Sequence, residues 1–302
     1  MEAVSVCPPS LREGDKIGIV APSRVIFKDQ ISTALDVFKH WGLEPVLSQF
    51  LFESHGYFAG SDDQRAGGFQ EMLDDQEIKA IFCARGGYGV TRILDELDFS
   101  IFKNSPKWIV GFSDITALHL QLNKIDIQSV HGLMPVQFGY KGVEQSIDSL
   151  KAMLFGYRGQ YSAEVSESSK GGKALAPIVG GNLSLICDSL GTNSEIDTNQ
   201  KILFIEEIDE YLYKIDRMMT QLKRAGKLND LRGVILGDFS LMKDTEIPLG
   251  LDIEELLLSY FKDLSIPVAV GFPAGHEPHH LALPISRMVE MKVLQNRCEL
   301  VL

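Results

Sequence analysis

Apolar positions fall along the chain in two kinds of block, short runs that suit buried strands and longer stretches at helical spacing. Residues 15–21, DKIGIVA, form an apolar run that Pro22-Ser23 stops, as expected of a buried parallel strand entering a loop. Residues 29–41 carry Ile31, Leu35, Phe38 and Trp41 at helical spacing, with Gly42 as a C-cap. Residues 45–51 predict a second strand, and Ser61-Asp62-Asp63 opens a helix that runs past Phe69 and Met72. Residues 79–85, KAIFCAR, predict a third strand, followed by Gly86-Gly87-Tyr88-Gly89 and a helical pattern over 91–97. Residues 107–120, KWIVGFSDITALHL, condense the pattern: a β-favouring run, a turn at Gly111-Phe112-Ser113-Asp114, then Ile115 and Leu118 at helical spacing. A short strand over 127–130 ends at His131-Gly132, and 142–155 predict a helix. Strands alternating with helices imply an α/β fold with a parallel sheet.

The character changes at residues 156–172, GYRGQYSAEVSESSKGG, which are polar, rich in Gly and Ser, and hold one candidate strand. They read as a linker between an amino-terminal α/β domain, 1–155, and a smaller carboxyl-terminal α/β domain, 173–302. In the latter, 176–179 are apolar and the turn Gly180-Gly181-Asn182 opens a short helix. Residues 201–207, KILFIEE, predict a strand whose carboxyl end carries two acids, and 213–225 a helix capped by Gly226. Residues 234–236 and 268–270 read as buried strands separated by a helix over 252–264, and the tail as two strands around Gln295-Asn296-Arg297.

At 302 residues the chain exceeds what one core usually serves, in keeping with two domains. A net charge of −12 and the lack of any Lys/Arg-rich block argue against nucleic acid or anionic membrane as partner. The four cysteines show no metal-ligand or C-x-x-C spacing, and Cys83 and Cys187 sit in apolar runs as buried thiols. The first sixteen residues lack a basic region followed by an apolar core, and no run is long enough to span a membrane, so a reducing, cytoplasmic setting is expected.

A serine between strand and helix has its hydroxyl lifted above the sheet edge, with the next amides aimed at what it attacks. Ser113 therefore suits a nucleophile. Ser and Asp also cap most helix starts, which taken alone is the more ordinary reading of Ser113 and Asp114, and G-x-S-x-G is not met. The glycine loop lacks dinucleotide and Walker spacings and reads by itself as a tight turn, though it should border the same crevice as Ser113. His276, Glu277 and His280 match H-E-x-x-H, but Pro278 between the histidines breaks the helix that motif needs, so no metal site is expected. His279 and His280 then read as solvated loop residues, while His276 could serve Ser113 as a base if an acid orients it. The acid could be Glu206, Glu207 or Asp209; the two glutamates face opposite sides of one strand, both apolar, and periodicity does not choose between them.

Taken together, IGIVAPS (17–23), ARGGYG (84–89), WIVGFSDITALH (108–119), HGLM (131–134), ILFIEE followed by YKIDRMMTQL, and GFPAGH resemble the LD-carboxypeptidase family, in the right order over nearly the whole chain. That family consists of cytoplasmic serine peptidases that remove D-alanine from murein tetrapeptides, and it includes microcin-immunity hydrolases. The resemblance implies Ser113 as nucleophile, Glu206 as acid and His276 as base, the serine on the amino-terminal domain, the other two on the carboxyl-terminal one, and the active site at their interface. It implies an oxyanion hole from the Asp114 amide and one of Gly86 or Gly87, no metal or other cofactor, and a homodimer. Leu133 stands where many relatives have proline, and Asp209 where many have glycine. Arg85, beside the glycine loop, is the cation expected to hold the substrate carboxylate, against the alternative of a structural ion pair. Two other readings compete: an amide hydrolase of peptidyl-nucleotide antibiotics, and a non-catalytic two-lobed binding protein.

Overall fold

A computed structural model describes residues 5–157 and 159–302, which form two compact units. The reading of the amino terminus falls in part on residues 1–4, and that of the linker in part on 158, which lie outside the described residues.

The first unit runs through Tyr157 and takes up Pro278–Ile285 late in the chain. Its parallel strands are β1 (Lys16–Val20), β2 (Glu44–Leu47), β3 (Ile78–Cys83), β4 (Trp108–Gly111) and β5 (Ser129–His131), in the order 2-1-3-4-5. β3 and β4 are buried almost throughout, which is why they read as continuous apolar runs and not as alternating ones. The helix Asp62–Asp74 starts where Ser61 predicts: the Ser61 hydroxyl accepts from the Gln64 amide at 3.2 Å and Gln64 Oε1 accepts from the Ser61 amide at 2.9 Å. A sixth strand, Leu283–Ile285, pairs antiparallel with β5. It was not read in the sequence, because three residues after a proline-rich loop carry no period of their own.

The second unit holds β6 (Gln160–Glu164), β7 (Gly172–Asn182), β8 (Ile202–Ile208), β9 (Gly233–Ser240) and β10 (Val268–Val270). Counting Leu283–Ile285 as β11, it ends with β12 (Met288–Val293) and β13 (Arg297–Val301). The sheet order is 10-9-8-7-12-13-6, parallel from β7 to β10 and antiparallel beyond. The segment read as a linker thus contributes an edge strand, β6, whose alternation is exposed-buried with Tyr161 and Ala163 inward. Gly180-Gly181-Asn182, expected as a turn, lies inside β7; a Cβ on Gly180 would fall 1.9 Å from the Phe204 carbonyl oxygen of the neighbouring strand.

Between β8 and β9 the register slips: Ile205 pairs with Leu236 but Glu207 with Phe239. Gly237 and Asp238 therefore face Glu206 together, a bulge at the carboxyl end of the sheet.

Candidate active site

In the first unit β4 ends at Gly111, Phe112 continues extended, and Ser113 turns the chain at φ 62° into a 3-10 turn (Ser113–Ile115) and the helix Thr116–Lys124. Left-handed backbone at a serine costs on the order of 1–3 kcal/mol and persists only where the surroundings impose it. Neither Ser113 nor Asp114 caps a helix; the cap positions are Phe112 and Ile115, without side-chain bonds. Asp114 is fully buried, and its Oδ2 accepts from the Ser23 hydroxyl at 2.5 Å and from the Val90 amide at 2.9 Å. Arg65, also buried, donates from one nitrogen to the carbonyls of Pro22 (2.5 Å) and Gly89 (2.8 Å). These two side chains tie the loop after β1 to the loop after β3, next to the serine.

Gly86 lies against the serine: a Cβ there would come 3.2 Å from the Ser113 Cβ and 3.4 Å from the Phe112 carbonyl. Glycine lets the loop backbone come this close without the serine turn having to give by a few tenths of an ångström. Behind the turn, His119 Nε2 donates to the Gly111 carbonyl at 2.8 Å, so its Nδ1 accepts from the Ser129 hydroxyl at 2.8 Å. Burial, partly offset by that carbonyl, pushes the His119 pKa down to about 4 and keeps the ring neutral. His280, expected in a solvated loop, is fully buried, 3.1 Å from His131 and edge-on to Phe112. Pro278–Ile285 packs into the first unit, which removes the histidine from water. His279 is exposed.

In the second unit Glu206 and Glu207, adjacent on β8, part company. Glu206 is fully buried, and its Oε2 accepts from Nδ1 of His276 at 2.8 Å. Glu207 turns to the other face and receives Asn182 Nδ2 (2.8 Å), the Ser184 amide (2.8 Å) and the Ser184 hydroxyl (2.5 Å), anchoring the start of the helix Leu183–Asp188. Asp209 pairs with Lys243 and adopts φ 58°, the left-handed conformation that glycine takes most readily and Asp tolerates.

The residues after β10 fold back over the bulge. The Phe272 amide donates to the Leu236 carbonyl (3.0 Å) and the Asp238 amide to the Ala274 carbonyl (3.0 Å), which places His276 beside Glu206. A Cβ on Gly237 would stand 2.2 Å from the Ala274 oxygen. Burial works against a charged His276, but the Glu206 hydrogen bond and the charges of Glu206, Glu207 and Asp238 outweigh it and raise its pKa above 6.5. Burial raises the Glu206 pKa, with the His276 bond opposing. Asp238, missed in the sequence, is raised to about 7 by burial and by the neighbouring charges of Glu277 and Glu206. Its only sequence signal is its place just past an apolar run, and that β9 adjoins β8 is not visible there. The segment 271–282 is not helical, so His276 and His280 do not share a helix face, and their rings meet Glu206 and His131 respectively.

Residues 17–132 match the model of the LD-carboxypeptidase N-terminal domain and residues 176–291 that of the LD-carboxypeptidase C-terminal domain. The chain belongs to the LD-carboxypeptidase family. It is thereby a serine carboxypeptidase. A probable murein peptide carboxypeptidase of Bacillus subtilis (strain 168) is 37% identical over 293 residues, covering 95% of this chain and 92% of that protein. The crystal structure of muramoyltetrapeptide carboxypeptidase from Oxalobacter formigenes superposes with a TM-score of 0.85 at 28% identity, covering 94% and 97% of the two chains. The microcin C7 self-immunity protein MccF, solved with aspartyl sulfamoyl adenosine, gives 0.87 at 22% identity over 98% of each chain, a likeness of fold alone. The N-terminal match contains Arg85, Gly86, Gly87, Ser113 and Asp114; the C-terminal match contains Glu206 and His276. Among the described residues no helix is long and apolar enough to cross a membrane.

Proposed function

We propose that this LD-carboxypeptidase hydrolyses the L,D-peptide bond to the terminal D-alanine of murein tetrapeptides in the cytoplasm, with Ser113 as nucleophile, His276 as base and Glu206 as the acid that orients it. The observation that carries the assignment of roles is the bond between the buried Glu206 Oε2 and Nδ1 of the part-buried His276, at 2.8 Å. A carboxylate accepts only, so Nδ1 bears hydrogen and Nε2 is left as the proton acceptor in the neutral ring.

In the reaction the Ser113 hydroxyl adds to the carbonyl of the L-centre while His276 Nε2 takes its proton. That proton passes to the nitrogen of the departing D-alanine as the C–N bond breaks, leaving an acyl ester on Ser113. Water then adds to the ester as His276 Nε2 takes its proton, and that proton returns to the Ser113 oxygen as the ester C–O bond breaks, releasing the tripeptide acid and restoring the free serine. Negative charge on the tetrahedral oxygen is met by the Asp114 amide and an amide of Gly86 or Gly87. Arg85 holds the terminal carboxylate, which limits cleavage to one residue from the end.

The deciding experiment is mass spectrometry of three digests: the tetrapeptide L-Ala-D-Glu-diamino acid-D-Ala, the pentapeptide ending D-Ala-D-Ala, and the tetrapeptide amide. The tetrapeptide should lose D-alanine and the other two should be poor substrates. Rapid loss of D-alanine from the pentapeptide would overturn the L,D assignment. Inertness toward all three, with hydrolysis of a peptidyl-adenylate analogue, would replace the murein peptide by a peptidyl nucleotide as substrate.

A further inference from the structure

In the first unit β1 lies between β2 and β3, so the strand order reverses between β1 and β3. Open α/β sheets take their ligands at the carboxyl ends of the strands that flank such a point. Here each of those two ends is followed by an arginine: Arg24 after β1 and Arg85 after β3. Arg24 is exposed, with its guanidinium carbon 5.3 Å from the centre of the Tyr57 ring, and Tyr57 is itself 44% exposed. Arg85 is partly buried and, among the described residues, makes one long bond, 3.4 Å, to the Val25 carbonyl.

The arginine ion pairs among the described residues are those of Arg65 and Arg92 with Asp62 and of Arg297 with Glu299; Arg24 and Arg85 have none. Arg85 feels Arg24 as a repelling charge: burial first, then Arg24, holds its pKa below the ordinary arginine value. Other arginines among the described residues also lack an ion pair; what sets these two apart is that they stand at adjacent strand ends, close enough to repel each other, with no carboxylate paired to either. Planar guanidiniums bind carboxylates in paired hydrogen bonds, and each strand end offers one. The terminal carboxylate of the peptide satisfies Arg85 and leaves Arg24 for a second anion.

The glycine loop sets the distance between that second site and the chemistry. Gly86 lies against Ser113, while a Cβ on the next residue, Gly87, would come 3.0 Å from the Arg24 Cβ and 2.8 Å from the Tyr57 hydroxyl. With consecutive Cα atoms 3.8 Å apart, this path through the two glycines puts the Arg24 stem at most roughly 13 Å from the nucleophile, within the reach of three or four extended residues. We propose that Arg24, stacked on Tyr57, receives a second carboxylate of the peptide, amino-terminal to the bond that is cut. This rests on the murein-peptide reading above. Two carboxylates lie within that span: the one on the side chain of a dicarboxylic diamino acid such as diaminopimelate, and the α-carboxylate of the γ-linked D-glutamate before it.

Three tetrapeptides separate these sources: one with D-glutamate and diaminopimelate, one with lysine in place of diaminopimelate, and one with D-glutamate amidated at its α-carboxyl. The wild-type enzyme should lose on the order of tenfold to a hundredfold in kcat/KM, mainly through KM, on at least one of the two altered peptides, the one that names the source. In Arg24→Ala that preference should fall to near unity, and Arg24→Lys, which keeps the charge without the planar fork, should retain part of it. Equal cleavage of all three peptides by the wild type, or an undiminished preference in Arg24→Ala, would overturn the inference and leave the murein-peptide reading standing. Failure of the wild type to cut any of the three would overturn both.

Discussion

Gly237→Ala probes how the bulge in β9 holds His276, the proposed base. The added Cβ would stand 2.2 Å from the Ala274 carbonyl oxygen, 2.9 Å from the Phe204 ring and 3.2 Å from the Glu206 Cβ. The first of these is backbone and has no rotamer to escape into, so the loop must retreat by about 1 Å, and displacement of a catalytic group by that much costs on the order of a hundredfold in rate. Ala274 precedes His276 by two residues, and its carbonyl accepts from the Asp238 amide, so the shift falls on the ring that meets Glu206. Overpacking and the strained hydrogen bond should together cost about 2–4 kcal/mol of stability. Gly271→Ala is the control: at φ 73° it suffers left-handed strain of about 1–2 kcal/mol, yet its Cβ meets no atom within 4 Å. Release of D-alanine from the tetrapeptide, measured below both melting temperatures, should therefore fall about a hundredfold in Gly237→Ala and stay near wild type in Gly271→Ala. An NMR titration should also show the His276 pKa moving down toward 6.5 in Gly237→Ala as the Glu206 contact loosens. Equal activity and equal titration in the two variants would refute the reasoning.

Ser113→Ala should fold normally, lose labelling by a fluorophosphonate and drop turnover by up to about a million-fold, as expected when a member of a concerted set is removed. Glu206→Gln should cut kcat by roughly three to four orders of magnitude by loosening control of the His276 tautomer, whereas Glu207→Gln should cost about 1–3 kcal/mol in urea unfolding through its Asn182 and Ser184 bonds with a much smaller loss of rate. As the proposed base His276 would work neutral, and its pKa is raised, so kcat/KM should be lost as pH falls through a midpoint above 6.5, and Glu206→Gln should move that midpoint down; a midpoint below 6.5 in the wild type would contradict the charge balance around His276. Asp114→Ala, which strips the acceptor from Ser23 and Val90 and leaves Arg65 without that nearby negative charge, should lower stability by about 3 kcal/mol in the same unfolding assay.

What the chain determined by itself is what short-range physics decides. The strand–turn–helix at Ser113, the capped start at Ser61, the apolar runs of β1, β3, β4, β8 and β10 and the paired tail strands each rest on residues a few positions apart, and their periods survive in a single sequence. The family followed from motifs that local backbone demands make recognisable. What only the tertiary structure decided depends on partners far along the chain. Glu206 and Glu207 are equivalent in an apolar strand until the loop after β10 brings His276, 70 residues on, to one face and Asn182 with Ser184 to the other. The bulge at Gly237-Asp238 is a property of the β8–β9 register, and so is the third acid it sets beside His276. β11 and the burial of His280 come from Pro278–Ile285 joining the first unit, where the neighbours His131 and Ser146 lie more than 130 residues away in sequence. No local pattern encodes a pairing at such separation, because its stability comes from surface the partner buries and not from the residues beside it.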